Sequence, residues 1–243
     1  MMAWWQYLSW GATGWGDELA SGLLVTLGLA LTTLPVGLAL GLLTTALLLR
    51  GGIWRWLGLG YATLIRGTPE LLTLFVVYNG AALLLNRLFH HSGDASFIGL
   101  SPFLAGVISL ALVLGAFAAE VLRGAFQALE KGPREAGLAL GLRRWQVFLL
   151  IEFRPMLQLA LPGLGNLWLN LVKDTALVSV IALNDLMRET SVAVGATRKP
   201  FFFFLLVCLL YWLICLCSEW GIARLEQACR WGQPAAPGKG GMQ

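Results

Sequence analysis

Asn166, Asn170 and Asp174 follow one another at a spacing of four residues in an otherwise apolar stretch. On an α-helix these side chains share one face, and Lys173 borders it. Ionisable side chains in a bilayer cost about 2.5–3.5 kcal/mol on insertion scales and usually face a partner or a wet cavity. A carboxylate can pair with a guanidinium or ammonium group, and amides can both donate and accept hydrogen bonds. The face is therefore a candidate substrate-binding site.

Two other interpretations of the same residues stay open. Lys173 and Asp174 could pair with each other, and the Asn amides could hydrogen-bond between helices. Glu120 is a second acidic candidate for the substrate, although Arg123 lies one helical turn away and could equally pair with it.

The residue types needed for catalysis are scarce. The sequence has no GxxxxGK[ST] motif, which excludes ATP hydrolysis by a P-loop. The four cysteines lack metal-ligand spacing, and His90 and His91 are adjacent in the polar loop 89–101. We therefore expect a non-enzymatic chain that binds no metal and no cofactor.

Composition indicates a membrane protein. Of 243 residues, 58% are hydrophobic and 12% are charged, whereas a soluble domain carries about 25% charged residues. The net charge of +4 is no indication of nucleic-acid binding. The predicted fold is all-α, embedded in a lipid bilayer and crossing it several times.

Five apolar runs are each long enough to span, since about 20 residues cross a bilayer. They cover about 19–49, 69–88, 102–129, 147–172 and 200–223. One transmembrane domain, 17–230, is expected to hold them all. Residues 1–16 are predicted to lie at the membrane interface, 51–66 to form an interfacial or elbow helix, and 231–243 to be flexible.

The fourth span and the residues after it carry two predicted irregularities. Pro162 and Gly163 are predicted to interrupt it and expose backbone groups to a cavity. Thr175 to Asp185 could then form a short gating helix, with Ser179 and Asp185 as gate residues, or equally an interfacial helix.

The distribution of Lys and Arg predicts orientation, because cytoplasmic loops are richer in both. Twelve of the 17 fall on one side of the five spans: Arg50, Arg55, Arg66, Arg123, Lys131, Arg134, Arg143, Arg144, Arg154, Arg224, Arg230 and Lys239. That side is expected to be cytoplasmic. The N-terminus would then face the periplasm, and the C-terminus and the loop 130–146 would face the cytoplasm.

The loop 130–146 combines charge with small residues. Pro133 can open a short helix and Gly141 can end it. Glu135, Ala136 and Gly137 lie between them and leave a surface that another protein could approach closely.

Glu135-Ala136-Gly137 with Gly141 resembles the EAA loop of ABC-importer permeases, with Gly137 in place of the second Ala. Arg66-Gly67-Thr68-Pro69 and Arg123-Gly124 are similar to the polar amino-acid permeases, and 161–166 and 173–179 are similar to their arginine and histidine/lysine/ornithine branch. Over about 20–225 the chain resembles the Q-type permease subunits of arginine and histidine/lysine/ornithine importers. Its Pro155 stands one place later than the proline usual in that family.

The resemblance implies a cytoplasmic coupling helix between spans three and four that docks onto a dimer of ATPase subunits, which use ATP and Mg. It also implies a periplasmic amino-acid-binding protein, a second permease chain of the same or another kind, and a place in the bacterial inner membrane. The expected cargo is a basic amino acid, arginine first.

The alternatives are importers of histidine, lysine, ornithine or glutamine, a proton-coupled transporter using Asp174 or Glu120, and a membrane scaffold without a substrate pathway. The lack of a detectable internal repeat argues against a secondary transporter.

Overall fold

In this computed structural model the described residues are 7–11, 14–89 and 99–230, and they are helical wherever they form regular structure. The predictions for 1–6, 12–13, His90, His91 and 231–243 lie outside them. The helices are α1 (Gly16–Leu49), α2 (Gly52–Gly67), α3 (Glu70–Phe89), α4 (Pro102–Gln127), α5 (Lys131–Ala139), α6 (Arg144–Val147), a π turn (Phe148–Glu152), α7 (Phe153–Asp174), a 3-10 helix (Thr175–Ile181), α8 (Leu186–Thr197) and α9 (Pro200–Arg230).

Four of these segments are long and apolar enough to cross a membrane alone: α1, α4, the continuous run from α6 through the 3-10 helix, and α9. A fifth span results if α2 and α3 are taken together, although their axes meet at 110°. An all-helical protein with several spans is thereby confirmed.

Residues 51–66 were expected to form an interfacial or elbow helix. Helix α2 covers them, packs against α1 and α4 and meets α3 at 110°. Gly58 lies beside Leu48 of α1, and the Tyr61 hydroxyl donates to the carbonyl of Leu112, 2.7 Å away, in the middle of α4. The amino end of α3 therefore starts beside the centre of the bundle rather than at its edge.

Helix α4 is the centre of the bundle, and 67% of the residues in its most apolar stretch are buried. It packs most extensively against α1, where small residues allow a close approach. A Cβ at Gly41 would lie 2.8 Å from that of Ala118. The Thr45 hydroxyl donates to the carbonyl of Ala119 at 3.2 Å, which ties the two backbones together.

The fourth span is interrupted at a different place from the predicted one. Helix α7 runs without a break through Pro162 and Gly163, where a Cβ at Gly163 would lie 2.7 Å from Val121 of α4. The irregular turn is instead the π turn, in which the amide of Phe153 donates to the carbonyl of Phe148. Pro155 explains the position, because it cannot donate to the Ile151 carbonyl and its ring would crowd that group in a regular helix.

Candidate functional site

A small cavity of ≈ 80 Å³ lies where α3, α4 and α7 meet. Its polar lining comes from Glu70, which begins α3, and from Asn170 and Asp174 at the end of α7. Leucines, a valine and a phenylalanine of α4 and α7 form the rest. The Glu70 and Asp174 carboxyl groups are close enough to interact directly. Two facing carboxyl groups in an apolar surround form a site suited to a cation.

Glu70 was missed by the sequence analysis, which placed it at the edge of the second span. The bend after α2 carries it to the level of Leu110 and Leu114 in α4. The partial positive charge of a helix amino end is also brought to this level, as in transporters with broken helices. The only sequence signal was an acidic residue directly after Thr68-Pro69, which is also an ordinary first-turn residue of a helix.

The other residues predicted for the substrate face are divided between two places. Asn166 lies on α7 below the cavity and is exposed, as is Asn170 at the cavity wall. Lys173 lines a different groove, together with Phe204 and Tyr211 of α9. It is therefore not part of the cavity wall that holds Asp174.

Glu120 is also outside the cavity. Its Oε2 lies 3.3 Å from a guanidinium nitrogen of Arg66, near the end of α2. The pairing with Arg123 that the sequence left open is replaced by this contact between helices. Both side chains are partly exposed, at 36% and 49%, so this ion pair contributes little to the packing of α2 against α4.

Helix α5 forms as the loop 130–146 predicted. Its residues Glu135 and Ala136 are exposed and Gly137 is buried. Leu138 and Leu140 are also exposed, the latter by 83%. Charged and apolar side chains therefore lie together on the outer surface of α5 and the turn that ends it.

Gly141 ends α5 through a left-handed backbone conformation, with φ +81°. Its amide donates to the Leu138 carbonyl at 3.0 Å, and that of Leu142 donates to the Gly137 carbonyl at 3.1 Å. These two bonds form a Schellman motif, which favours glycine because a side chain is strained at positive φ. The glycine at this position therefore determines where the helix stops.

The predicted gate region is a 3-10 helix directly after Asp174, ending at Ala182 with φ 64°. Ser179 is half-buried and donates to the Ala176 carbonyl at 2.8 Å. Asp185 is fully buried and accepts from the amide of Arg188 at 3.0 Å, which caps α8. Burial raises the pKa of Asp185 to about 6.

Residues 34–231 match the family of binding-protein-dependent transport system inner membrane components. The chain belongs to this family. The permease is thus a multi-pass inner-membrane component of an ABC importer for amino acids, as the resemblance implied.

Curated relatives are similar to this chain over most of their own length. The permease is 37% identical over 214 residues to the octopine transport system permease protein OccQ of Rhizobium radiobacter, with 88% of this chain and 90% of the relative covered. It is 38% identical over 223 residues to the arginine ABC transporter permease protein ArtQ of Escherichia coli K12, covering 86% and 93%. It is 36% identical to HisQ of the same strain, a histidine/lysine/arginine/ornithine transport system permease, covering 88% and 94%.

Solved structures show the same fold. One from an amino acid ABC transporter crystallised with histidines has a TM-score of 0.75 at 27% identity and covers 88% of this chain and 94% of its own. A chain of the inward-facing methionine transporter MetNI reaches 0.69 at 17% identity, covering 88% and 97%. The family and the curated relatives, rather than these folds, show that the chain is a non-catalytic permease subunit, with ATP hydrolysed by a partner ATPase.

Proposed function

We propose that the permease imports a cationic amino acid, arginine first, received from a periplasmic binding protein. The observation that carries this is the pair of carboxyl groups, Glu70 and Asp174, in one cavity with the amide of Asn170. A guanidinium can donate to both carboxyl groups at once and brings a positive charge to them, whereas the amide of glutamine brings none. The names of the arginine and histidine/lysine/arginine/ornithine relatives support the same class of cargo.

Substrate class is tested with the reconstituted importer. ATPase stimulation is measured with binding proteins loaded with arginine, lysine, ornithine, histidine or glutamine. Strong stimulation by arginine and weak stimulation by glutamine support a cationic cargo. Equal stimulation and uptake with glutamine contradict it.

We propose that the exposed surface of α5 contacts the ATPase dimer, whose subunits hydrolyse ATP with Mg. Glu135 and Ala136 are exposed beside Leu138 and Leu140. Gly137 is buried against the permease itself and Gly141 ends the helix, so these two glycines shape the surface rather than form it. Glu135→Arg is expected to abolish both uptake and co-purification of the ATPase.

A second permease chain is proposed to cover the polar face of α7. Asn166, Asn170 and Lys173 are exposed in the single chain, which is costly in lipid because their polar groups would lose water without gaining partners. A second copy, or a related subunit, would enclose this face around a wet pathway. Disulfide cross-linking between the chains at Asn166→Cys tests the arrangement.

The proposed topology has five spans, with α2 and α3 forming the second. The N-terminus lies in the periplasm, and α5 and the C-terminus lie in the cytoplasm. The concentration of Lys and Arg around α2, α5, α6 and the end of α9 supports this orientation. The proposed transmembrane unit is 17–230. The orientation is tested by thiol labelling of Gly132→Cys, which should react with a reagent added on the cytoplasmic side and not with one added on the periplasmic side.

A further inference from the structure

Glu152 is a buried carboxylate at the end of the π turn, with a relative exposure of 8%. Its Oε1 lies 3.6 Å from Nε of Arg134, in the middle of α5. The Arg134 side chain is about half exposed, at 47%, whereas that of Glu152 is exposed by only 10%. A buried carboxylate without its cationic partner is strongly disfavoured, so the pair holds α5 and the π turn together.

The neighbouring residue of the π turn makes a second contact with the same helix. A Cβ at Gly137 would lie 2.5 Å from Cδ1 of Ile151 and 3.3 Å from Val147. Gly137 therefore lets the α5 backbone approach the π turn more closely than the usual alanine of this loop. Two adjacent residues of the π turn therefore contact α5, Ile151 through an apolar contact and Glu152 through an ionic one.

The π turn is a place where helix register can change. It contains one more residue per turn than an α-helix, and such turns recur at functional sites. Beyond it, α7 continues for 22 residues to Asp174, a length of about 33 Å at 1.5 Å per residue. The π turn before this helix therefore contacts α5, and Asp174 at the far end of the helix lines the cavity.

We propose that Glu152 is the positioning residue through which movement of α5 reaches α7 and the substrate cavity. Arg134 pulls or releases the Glu152 carboxylate when the ATPase moves α5, and the π turn absorbs the change of register before α7. The inference rests on the proposed docking of α5 to the ATPase. Glu152 does not touch the substrate, because the cavity lining contains no residue of the π turn.

The experiment uses the complete importer, with permease chains, ATPase and binding protein, in proteoliposomes. Glu152→Gln and Arg134→Gln are compared with the exchanged pair Arg134→Glu/Glu152→Arg and with Glu152→Asp. The matched control is Glu120→Gln, which removes a carboxylate from an ion pair of similar length that joins α2 to α4. Three quantities are measured: thermal stability of the complex, ATPase activity without binding protein, and its stimulation by loaded binding protein.

The single neutral variants are expected to retain the ATPase subunits while stimulation and uptake fall about tenfold. The exchanged pair and Glu152→Asp should recover much of the stimulation, and Glu120→Gln should keep all of it. The proposal is overturned if Glu152→Gln changes thermal stability but leaves the ratio of stimulated to unstimulated ATPase at the wild-type value. If the exchanged pair is not assembled, Glu152→Asp and Glu152→Gln still decide, since a purely structural contact leaves that ratio unchanged in both.

Failure of the underlying docking proposal gives a different result. In that case Glu135→Arg would keep the ATPase bound and active in transport. A normal response to Glu135→Arg therefore refutes docking through α5, whereas an unchanged ratio in Glu152→Gln refutes only the role of Glu152.

Discussion

Glu70 and Asp174 face each other across one cavity, although the first begins α3 and the second ends α7. Their meeting depends on the 110° bend between α2 and α3 and on the packing of both elements against α4. The arrangement places two half-buried acidic residues and an exposed amide in one cavity whose remaining lining is apolar. The proposed recognition of a cationic substrate rests on this relationship.

Neutralising either carboxyl group of the pair should strongly reduce transport of cationic amino acids. Asp174→Asn and Glu70→Gln keep side-chain volume and each remove one charge-assisted hydrogen bond. We expect arginine uptake to fall about 10- to 100-fold for either change. Uptake by proteoliposomes is measured together with recovery of the assembled complex. Glu120→Gln serves as the control, because its carboxylate pairs with Arg66 outside the cavity, and wild-type uptake by Asp174→Asn would remove that residue from the site.

Replacing Gly141 should weaken α5 as a docking surface. Gly141→Ala forces a side chain into a left-handed conformation, at a cost of about 1–2 kcal/mol. We expect weaker co-purification of the ATPase and lower uptake. Gly132→Ala is the control, since that glycine lies within α5, has no positive φ and has open space at its Cβ. Equal ATPase binding by the two variants would contradict the role given to the Gly141 turn.

The stability of the complex should depend on pH through Asp185. Its pKa is raised by burial to about 6, whereas in an unfolded chain it is about 3.9. The folded protein therefore binds more protons between these values, and this group's contribution to stability decreases as pH rises from about 4 to 6. Asp185→Asn keeps a capping side chain but cannot ionise, so it should remove this part of the pH dependence.

Thermal unfolding of detergent-solubilised wild type and Asp185→Asn across pH 4 to 8 measures the difference. Asp185→Ala is the companion variant, because it loses the α8 cap and should be less stable than Asp185→Asn at every pH by about 1 kcal/mol. Parallel pH profiles for wild type and Asp185→Asn would show that the carboxyl group does not titrate in this range.

The 3-10 helix should have to move during transport. A bifunctional thiol reagent that links Ser179→Cys in two permease chains is expected to stop uptake while leaving ATP hydrolysis measurable. The parent chain first has its natural cysteines replaced, since Cys208, Cys215, Cys217 and Cys229 are all free thiols. Unchanged uptake after complete linkage would show that this segment is not a gate.

Local residue chemistry was sufficient to predict part of this protein. The apolar runs predicted an all-helical membrane fold, because an uninterrupted stretch in lipid must satisfy its backbone hydrogen bonds internally. Residues 131–141 predicted a short helix ending at Gly141, because both signals act within a few residues. Asn170 and Asp174 were predicted to share a helix face from their spacing, and both line the same cavity.

The pairing of distant residues was decided by tertiary structure. Glu70 looked like an ordinary residue at a helix start, and only the folding of α2 against α4 brings it to Asp174. Pro162 looked like a break, yet packing of α4 and α9 around α7 keeps the helix continuous, and the irregularity lies before Pro155. Arg134 and Glu152 carried no sequence signal as a pair. Helix periodicity sets which face a residue occupies, whereas the partner that faces it depends on how the whole bundle packs.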